Sequence, residues 1–110
     1  MTKIDDYTIQ KLADDKHTKD GIHGKDPMYD AAFESVKDTV DKAKQTPEYA
    51  DKSNTGFVGT IDEMDKAIKT VEDVRNGNYD PDLIEQYIRE VLKKLAKHYN
   101  EIAYDNATLA

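Results

Sequence analysis

Two histidines lie among aspartates near the start of the chain, so metal binding is the first chemistry to consider. His17 and His23 flank the segment "TKDGI". If its Asp-Gly pair at 20–21 took positions five and six of a calcium loop, Lys16 and Pro27 would occupy positions one and twelve, where oxygen ligands are needed. A zinc site would need three or four converging ligands. We therefore predict no metal site and two solvated histidines.

A second histidine–carboxylate neighbour pair lies in the C-terminal part of the chain. His98 precedes Glu101 by three residues, and a histidine oriented by a carboxylate can act as a general base. Such a pair is common on charged helices, and no serine or cysteine stands at a recognisable nucleophile turn. Phosphate- and dinucleotide-binding motifs are also missing from the sequence. We predict no catalytic or cofactor-binding residues, and a small metal-dependent enzyme that uses the histidines remains as the third hypothesis.

The most suggestive candidate is an aromatic residue set among carboxylates. In "PEYAD" Tyr49 stands between Glu48 and Asp51. Tyrosine is enriched at binding hot spots, and flanking carboxylates steer a basic partner. Phe57, in the predicted loop that follows, is a further candidate anchor. We therefore predict partner-binding residues at Glu48, Tyr49, Asp51 and Phe57, with two alternatives: "PEYAD" is only a surface turn, and Phe57 covers one end of the protein core.

Composition limits the classes of partner. The chain has 110 residues, a net charge of −7, 37% hydrophobic and 35% charged residues, and no cysteine. This length is typical of one domain. The acidic balance disfavours non-specific binding to nucleic acid or anionic membrane, and the lysines at 93, 94 and 97 make too small a patch to reverse it. Disulfides and cysteine-ligated zinc are excluded.

Targeting signals are not evident. No apolar run approaches the roughly 20 residues of a membrane span, and "MTKIDDYTIQ" lacks the apolar core of a signal peptide. We therefore expect a cytoplasmic protein. Disorder is the competing interpretation of the low hydrophobicity, but regular apolar stripes argue against it for most of the chain.

The N-terminal segment should be weakly structured. Residues 4–15 predict a short helix capped by Asp5 or Asp6, and "KHTKDGIHGKD" predicts a loop or flexible linker because it has two glycines and alternating charges. We assign residues 1–26 to this segment, 27–105 to a helical bundle and 106–110 to a disordered tail.

Three long amphipathic helices are predicted after it, near 27–46, 60–76 and 81–104. Proline at the first helical position opens the first and the last. Thr60 and Glu63 match a capping box for the second, and Gly77 should end it. A further turn is expected after Pro47. Four core positions are predicted from the stripes: Val36, Ile68, Val91 and Leu95.

The fold class is therefore all-α: a small antiparallel bundle of three long helices, with the N-terminal segment as a possible fourth. Small acidic bundles of this kind include bacterial immunity and inhibitor proteins, an analogy of size and charge alone. We predict a non-enzymatic protein that binds another protein, basic at its contact surface. The alternative is a structural or assembly subunit, of the phage or plasmid accessory type, that self-associates through its helix faces into a homo-oligomer.

Overall fold

The structure is a computed structural model that describes residues 3–78 and 80–109, with the side chains of 15, 81–83 and 103–109 outside this description. Helices are the only regular secondary structure in the described residues, which confirms the all-α prediction. In chain order they are α1 Asp6–Ala13, α2 Asp15–Gly21, α3 Pro27–Ala43, α4 Pro47–Ala50, α5 Thr55–Arg75 and α6 Pro81–Leu109. Of the helices in this part of the chain, none has the length and apolarity needed to cross a membrane.

Helix α3 forms as its sequence predicts. Asp26 caps it by accepting hydrogen bonds from the backbone N–H groups of Met28 (2.9 Å) and Tyr29 (3.2 Å). Pro27 follows at the first helical position, where its missing N–H costs nothing. Its apolar stripe is buried along its whole length: Tyr29, Phe33, Val36, Val40 and Ala43. The helix ends three residues before the predicted boundary, because the turn before Pro47 interrupts it.

The bundle is built around α1, α3, α5 and α6. Helix α6 packs against α5 and α1, while α3 packs against α1 and α5. Ile9 and Leu12 of α1 join the same buried cluster as the long helices. Asp5 caps α1 by accepting from the Thr8 N–H at 2.7 Å. The predicted short N-terminal helix is therefore present and docked.

The expected loop at 16–26 is wrong in its first half, because α2 occupies Asp15–Gly21. Asp14 caps this helix by accepting from the Lys16 N–H at 2.8 Å. The Thr18 hydroxyl is fully buried and lies within hydrogen-bond distance of the carbonyls of Leu12 (3.2 Å) and Asp14 (2.8 Å). Ile22, just beyond the helix, is buried as well. These buried anchors explain how a polar, glycine-containing segment holds helical structure.

The predicted capping box at Thr60 is also wrong. Helix α5 begins five residues earlier, at Thr55, and Asn54 precedes it without a side-chain cap. Thr60 lies inside the helix, where its hydroxyl donates to the carbonyl of Gly56 at 2.8 Å. The far end agrees with the prediction, since Gly77 adopts a φ of 80° just after the helix stops. The early start follows from Phe57, whose buried side chain belongs on the core face of the helix.

Helix α6 faces the core with only part of its predicted apolar stripe. Its buried residues are Ile88, Leu92, Ala96 and Tyr99. Val91 and Leu95, predicted as core, are only partly buried at the edge of that cluster. The helix continues to Leu109, into the segment 106–110 for which the sequence predicts a disordered tail, and Ala110 lies outside the described residues.

The extended residues before α1 are fixed to the last helix. The side-chain amide of Asn100 accepts from the Ile4 N–H at 2.8 Å and donates to the Ile4 carbonyl at 2.7 Å. Ile4 itself is buried. One amide side chain thus satisfies both backbone groups of a buried residue, as burial demands.

Candidate interaction surface

Tyr49 is held in place by the short helix α4 and by α5. Thr46 caps α4 by accepting from the Tyr49 N–H at 3.3 Å. The Tyr49 hydroxyl donates to Asp62 Oδ1 of α5 at 2.7 Å. This bond to a negative charge, helped by burial and by the charges of Asp62 and Asp65, raises the pKa of Tyr49. The tyrosine is therefore a neutral donor with a fixed ring direction.

A lysine completes the surroundings of the ring. The Lys52 ammonium lies 4.1 Å from the centroid of the Tyr49 ring, within the range of a cation–π contact. The same ammonium donates to the Tyr49 carbonyl at 3.3 Å. The tyrosine is partly buried and packs against the hydrophobic cluster. The ring face of Tyr49 is thus in contact with a cation of its own chain.

Asp51 and Glu48, the acidic residues that flank Tyr49, differ in exposure and in hydrogen bonding. Asp51 Oδ1 accepts from the hydroxyl (2.6 Å) and the backbone N–H (3.0 Å) of Ser53. These two bonds lower the pKa of Asp51, so this exposed carboxylate stays charged in mildly acidic solution. Glu48 is partly buried, and its backbone carbonyl accepts from the Asn54 side chain at 3.4 Å. We call Glu48, Tyr49, Asp51 and Asp62 the Tyr49 surface.

The region around this surface is strongly acidic. Between Thr46 and Asp65 the sequence has five carboxylates and one lysine. Asp65 is neutralised by Lys44 and Lys69, each 2.9 Å away. Asp51, Asp62 and Glu63 are exposed. An excess of negative charge therefore remains beside Tyr49.

Phe57 does not contribute to this surface. Phe57 is 1% exposed and belongs to the central hydrophobic cluster. The expectation of an exposed aromatic anchor at this position is corrected, because a buried ring cannot contact a partner. Asp62, which the sequence pattern does not single out, is the residue that contacts the Tyr49 hydroxyl. The T-x-x-E pattern predicts a helix start after Phe57 and so conceals the burial of that ring, whereas the pairing of Asp62 with Tyr49 depends on how α4 packs against α5.

The histidines are placed differently from each other. His17 Nδ1 lies 2.6 Å from Asp26 Oδ2, and the two side chains are only 14% and 15% exposed. The prediction of a solvated residue is therefore wrong for His17. His23 is exposed, and His98 is half exposed with Nδ1 3.7 Å from Glu101 Oε2. Across the described residues, no three His, Cys, Asp or Glu side chains come together in a way that could hold a metal ion.

A cleft of about 360 Å³ opens between the N-terminal segment, α3 and α6. Its charged groups are already engaged: Asp5 caps α1, and Lys42 pairs with Asp38 at 2.9 Å. The hydroxyls of Thr39 and Thr46 donate to backbone carbonyls. These polar groups therefore serve the bundle itself.

No protein-family model matches this chain, and neither the curated proteins nor the solved structures show a significant similarity to it.

Proposed function

We propose that this chain is a non-enzymatic cytoplasmic protein that binds a basic region of another protein through the Tyr49 surface. The observation that supports it is the fixed aromatic ring of Tyr49 inside an acidic surround, held by Asp62 at 2.7 Å and covered by the Lys52 ammonium. A ring that is already positioned loses little conformational freedom on binding. An inhibitor or immunity-type protein is the form of this function that we propose.

The recognition step follows from the contacts. A basic side chain of the partner displaces Lys52 from the ring face and meets the carboxylates of Asp51 and Asp62. Arginine suits this exchange best, because its planar guanidinium can stack on the ring and donate to a carboxylate at the same time. The acidic excess speeds association, and the buried part of the contact sets the dissociation rate.

The test is a kinetic binding series with the partner recovered by affinity capture. The double variant Asp51→Asn, Asp62→Asn should slow association, and Tyr49→Ala should raise the dissociation rate, with a loss of at least about 2 kcal/mol if the ring is a hot spot. Association should also slow as salt rises from 0.1 M to 1 M, because the screening length falls from about 10 Å to about 3 Å.

A matched control loses the same charge elsewhere. Asp38→Asn with Asp41→Asn removes two carboxylates from exposed positions of α3, and it should leave both rate constants within about twofold of the wild type if the effect is local. Equal slowing by both double variants would show that only net charge matters. If neither salt nor any of the Tyr49-surface substitutions changes the rate constants of binding, the proposed surface is refuted.

A further inference from the structure

Helix α6 carries a second apolar stripe beside its buried one. Five hydrophobic residues of the described chain are partly buried at the edge of the core, and four of them lie on α6: Ile84, Val91, Leu95 and Ile102. Tyr87, 41% exposed, lies next to them. Because 3.6 residues make a turn, these positions share one side of the helix. Tyr7 of α1 and Met28 of α3 are exposed as well, at 62% and 44%, but neither helix has partly buried apolar residues at the edge of the core. Among the described residues, this side of α6 therefore has the longest run of apolar surface still to cover.

The spacing of the stripe is symmetric. The steps between its four residues are seven, four and seven, which read the same from either end of the helix. If two copies of α6 lie antiparallel with their stripes in contact, Ile84 meets Ile102 and Val91 meets Leu95, twice each. This is the self-complementary contact that a two-fold axis requires, since the same patch serves both subunits.

The charges beside the stripe fit the same arrangement. Glu90 and Lys94 are both exposed on the outer flank of α6, close to the middle of the stripe. An antiparallel partner brings Lys94 of each protomer towards the other protomer's glutamate at 90. Charge pairs at the flanks of helix pairs select partner and orientation.

We propose that this face of α6 is the interface of an antiparallel homodimer, with the occupant of the stripe being a second copy of this chain. The stripe is about 27 Å long from the helical rise of 18 residues, and narrow compared with interfaces of about 800 Å² per partner. The dimer is therefore weak, with a dissociation constant between about 1 µM and about 1 mM. It is separate from the Tyr49 surface, so either proposal can fail alone.

Sedimentation velocity from 1 µM to 1 mM protein at 0.15 M salt, ranges set by that expected affinity, tests the association. We expect a concentration-dependent monomer–dimer equilibrium. Leu95→Glu should abolish it, with circular dichroism as the check that the helices remain. A sample that stays monomeric throughout would overturn the proposal.

The orientation of the two α6 helices is tested by exchanging charges at exposed residues, where substitution should leave the fold intact. Lys94→Glu should weaken the dimer by about tenfold, because two attractions become two repulsions. Adding Glu90→Lys should restore it. Lys93→Glu, the same charge change on an exposed residue of the opposite side, should have little effect. If neither Lys94→Glu nor Leu95→Glu changes the dissociation constant of the dimer, the dimer uses another surface and the assignment is refuted.

The absence of native cysteine allows a direct geometric test. Val91→Cys protein mixed with Leu95→Cys protein should form a mixed disulfide dimer on mild oxidation. Each variant alone should cross-link poorly, because in the antiparallel pair each new thiol faces an aliphatic side chain. Efficient cross-linking of Leu95→Cys alone would indicate a parallel pair and overturn the proposed arrangement.

Discussion

Arg75 at the end of α5 binds the carbonyl of Gly21 at the end of α2, across 54 positions of sequence. Its Nη2 donates to that carbonyl at 2.9 Å and also pairs with Asp30 of α3. The guanidinium carbon lies 4.8 Å from the centroid of the Phe33 ring. One side chain therefore joins three helices and satisfies a C-terminal carbonyl of the short helix α2.

Replacing Arg75 should destabilise the protein. Arg75→Ala removes a charged hydrogen-bond donor, and we expect a loss of about 1.5–3 kcal/mol in the free energy of unfolding. Arg75→Lys should recover only part of it, because an ammonium cannot reproduce the planar fork. Urea denaturation followed by circular dichroism measures both. If the alanine variant is as stable as the wild type, the three-helix contact has no energetic role.

Two glycines should respond to alanine in opposite directions. A Cβ at Gly59 of α5 would meet nothing within 4 Å, so Gly59→Ala should raise stability by about 0.5–1 kcal/mol through better helix propensity. A Cβ at Gly21 would collide with the Tyr29 ring. Gly21→Ala should therefore cost about 1–3 kcal/mol, as other overpacked cores do. Thermal melts of the two variants give the signs directly, and an unchanged Gly21→Ala melt would contradict the close helix–ring contact.

Leu92 and Leu95 of α6 should differ in the cost of truncation. Leu92 is 1% exposed, whereas Leu95 is partly buried. Leu92→Ala should cost about 2–5 kcal/mol because it leaves a cavity. Leu95→Ala should cost less, since neighbouring groups and water can fill the space. Denaturation midpoints at a protein concentration below 1 µM, under the dimer range expected above, make the comparison. The reverse order would restore the stripe predicted from sequence.

Acid should weaken the junction between α2 and α3. The hydrogen bond with His17 is the main cause that lowers the pKa of Asp26; burial opposes it, and the N–H groups of Tyr29 and Met28 add to it. A carboxylate with a lowered folded pKa stabilises the protein above its unfolded value, near 3.9, and this stability is lost as pH falls through the folded value. Asp26→Asn should therefore reduce stability at neutral pH and flatten its decline in acid.

The control for this pH profile is Asp20→Asn, the same change at an exposed position of α2. It should keep the wild-type slope of unfolding free energy against pH. If Asp26→Asn keeps that slope as well, the His17–Asp26 contact does not contribute to acid sensitivity.

The sequence was sufficient where local chemistry decides the structure. Asp26 followed by Pro27 set the start of α3, and the left-handed Gly77 set the end of α5. It failed where distant contacts decide. Helix α2 depends on the buried Thr18 and on Arg75, whose distance from Gly21 cannot be read from spacing.

The same limit applies to the candidate surface. The acid-flanked Tyr49 was visible as a pattern, but the partner of its hydroxyl, Asp62, depends on how α4 packs on α5. The Thr60 pattern resembles a helix start and therefore predicts a loop at Phe57. Burial of that ring on the core face outweighed the local capping signal.

The clamp of Asn100 on Ile4 has a consequence for the order of folding. Its two hydrogen bonds join positions 96 residues apart. Closing so long a loop in an unordered chain is entropically costly and slow. We therefore expect the clamp to form after the intervening helices have docked and brought its ends together. If unfolding follows the reverse order, the N-terminal segment should detach first when the protein opens. Its amides should accordingly exchange with solvent deuterium sooner than those of α3 and α5.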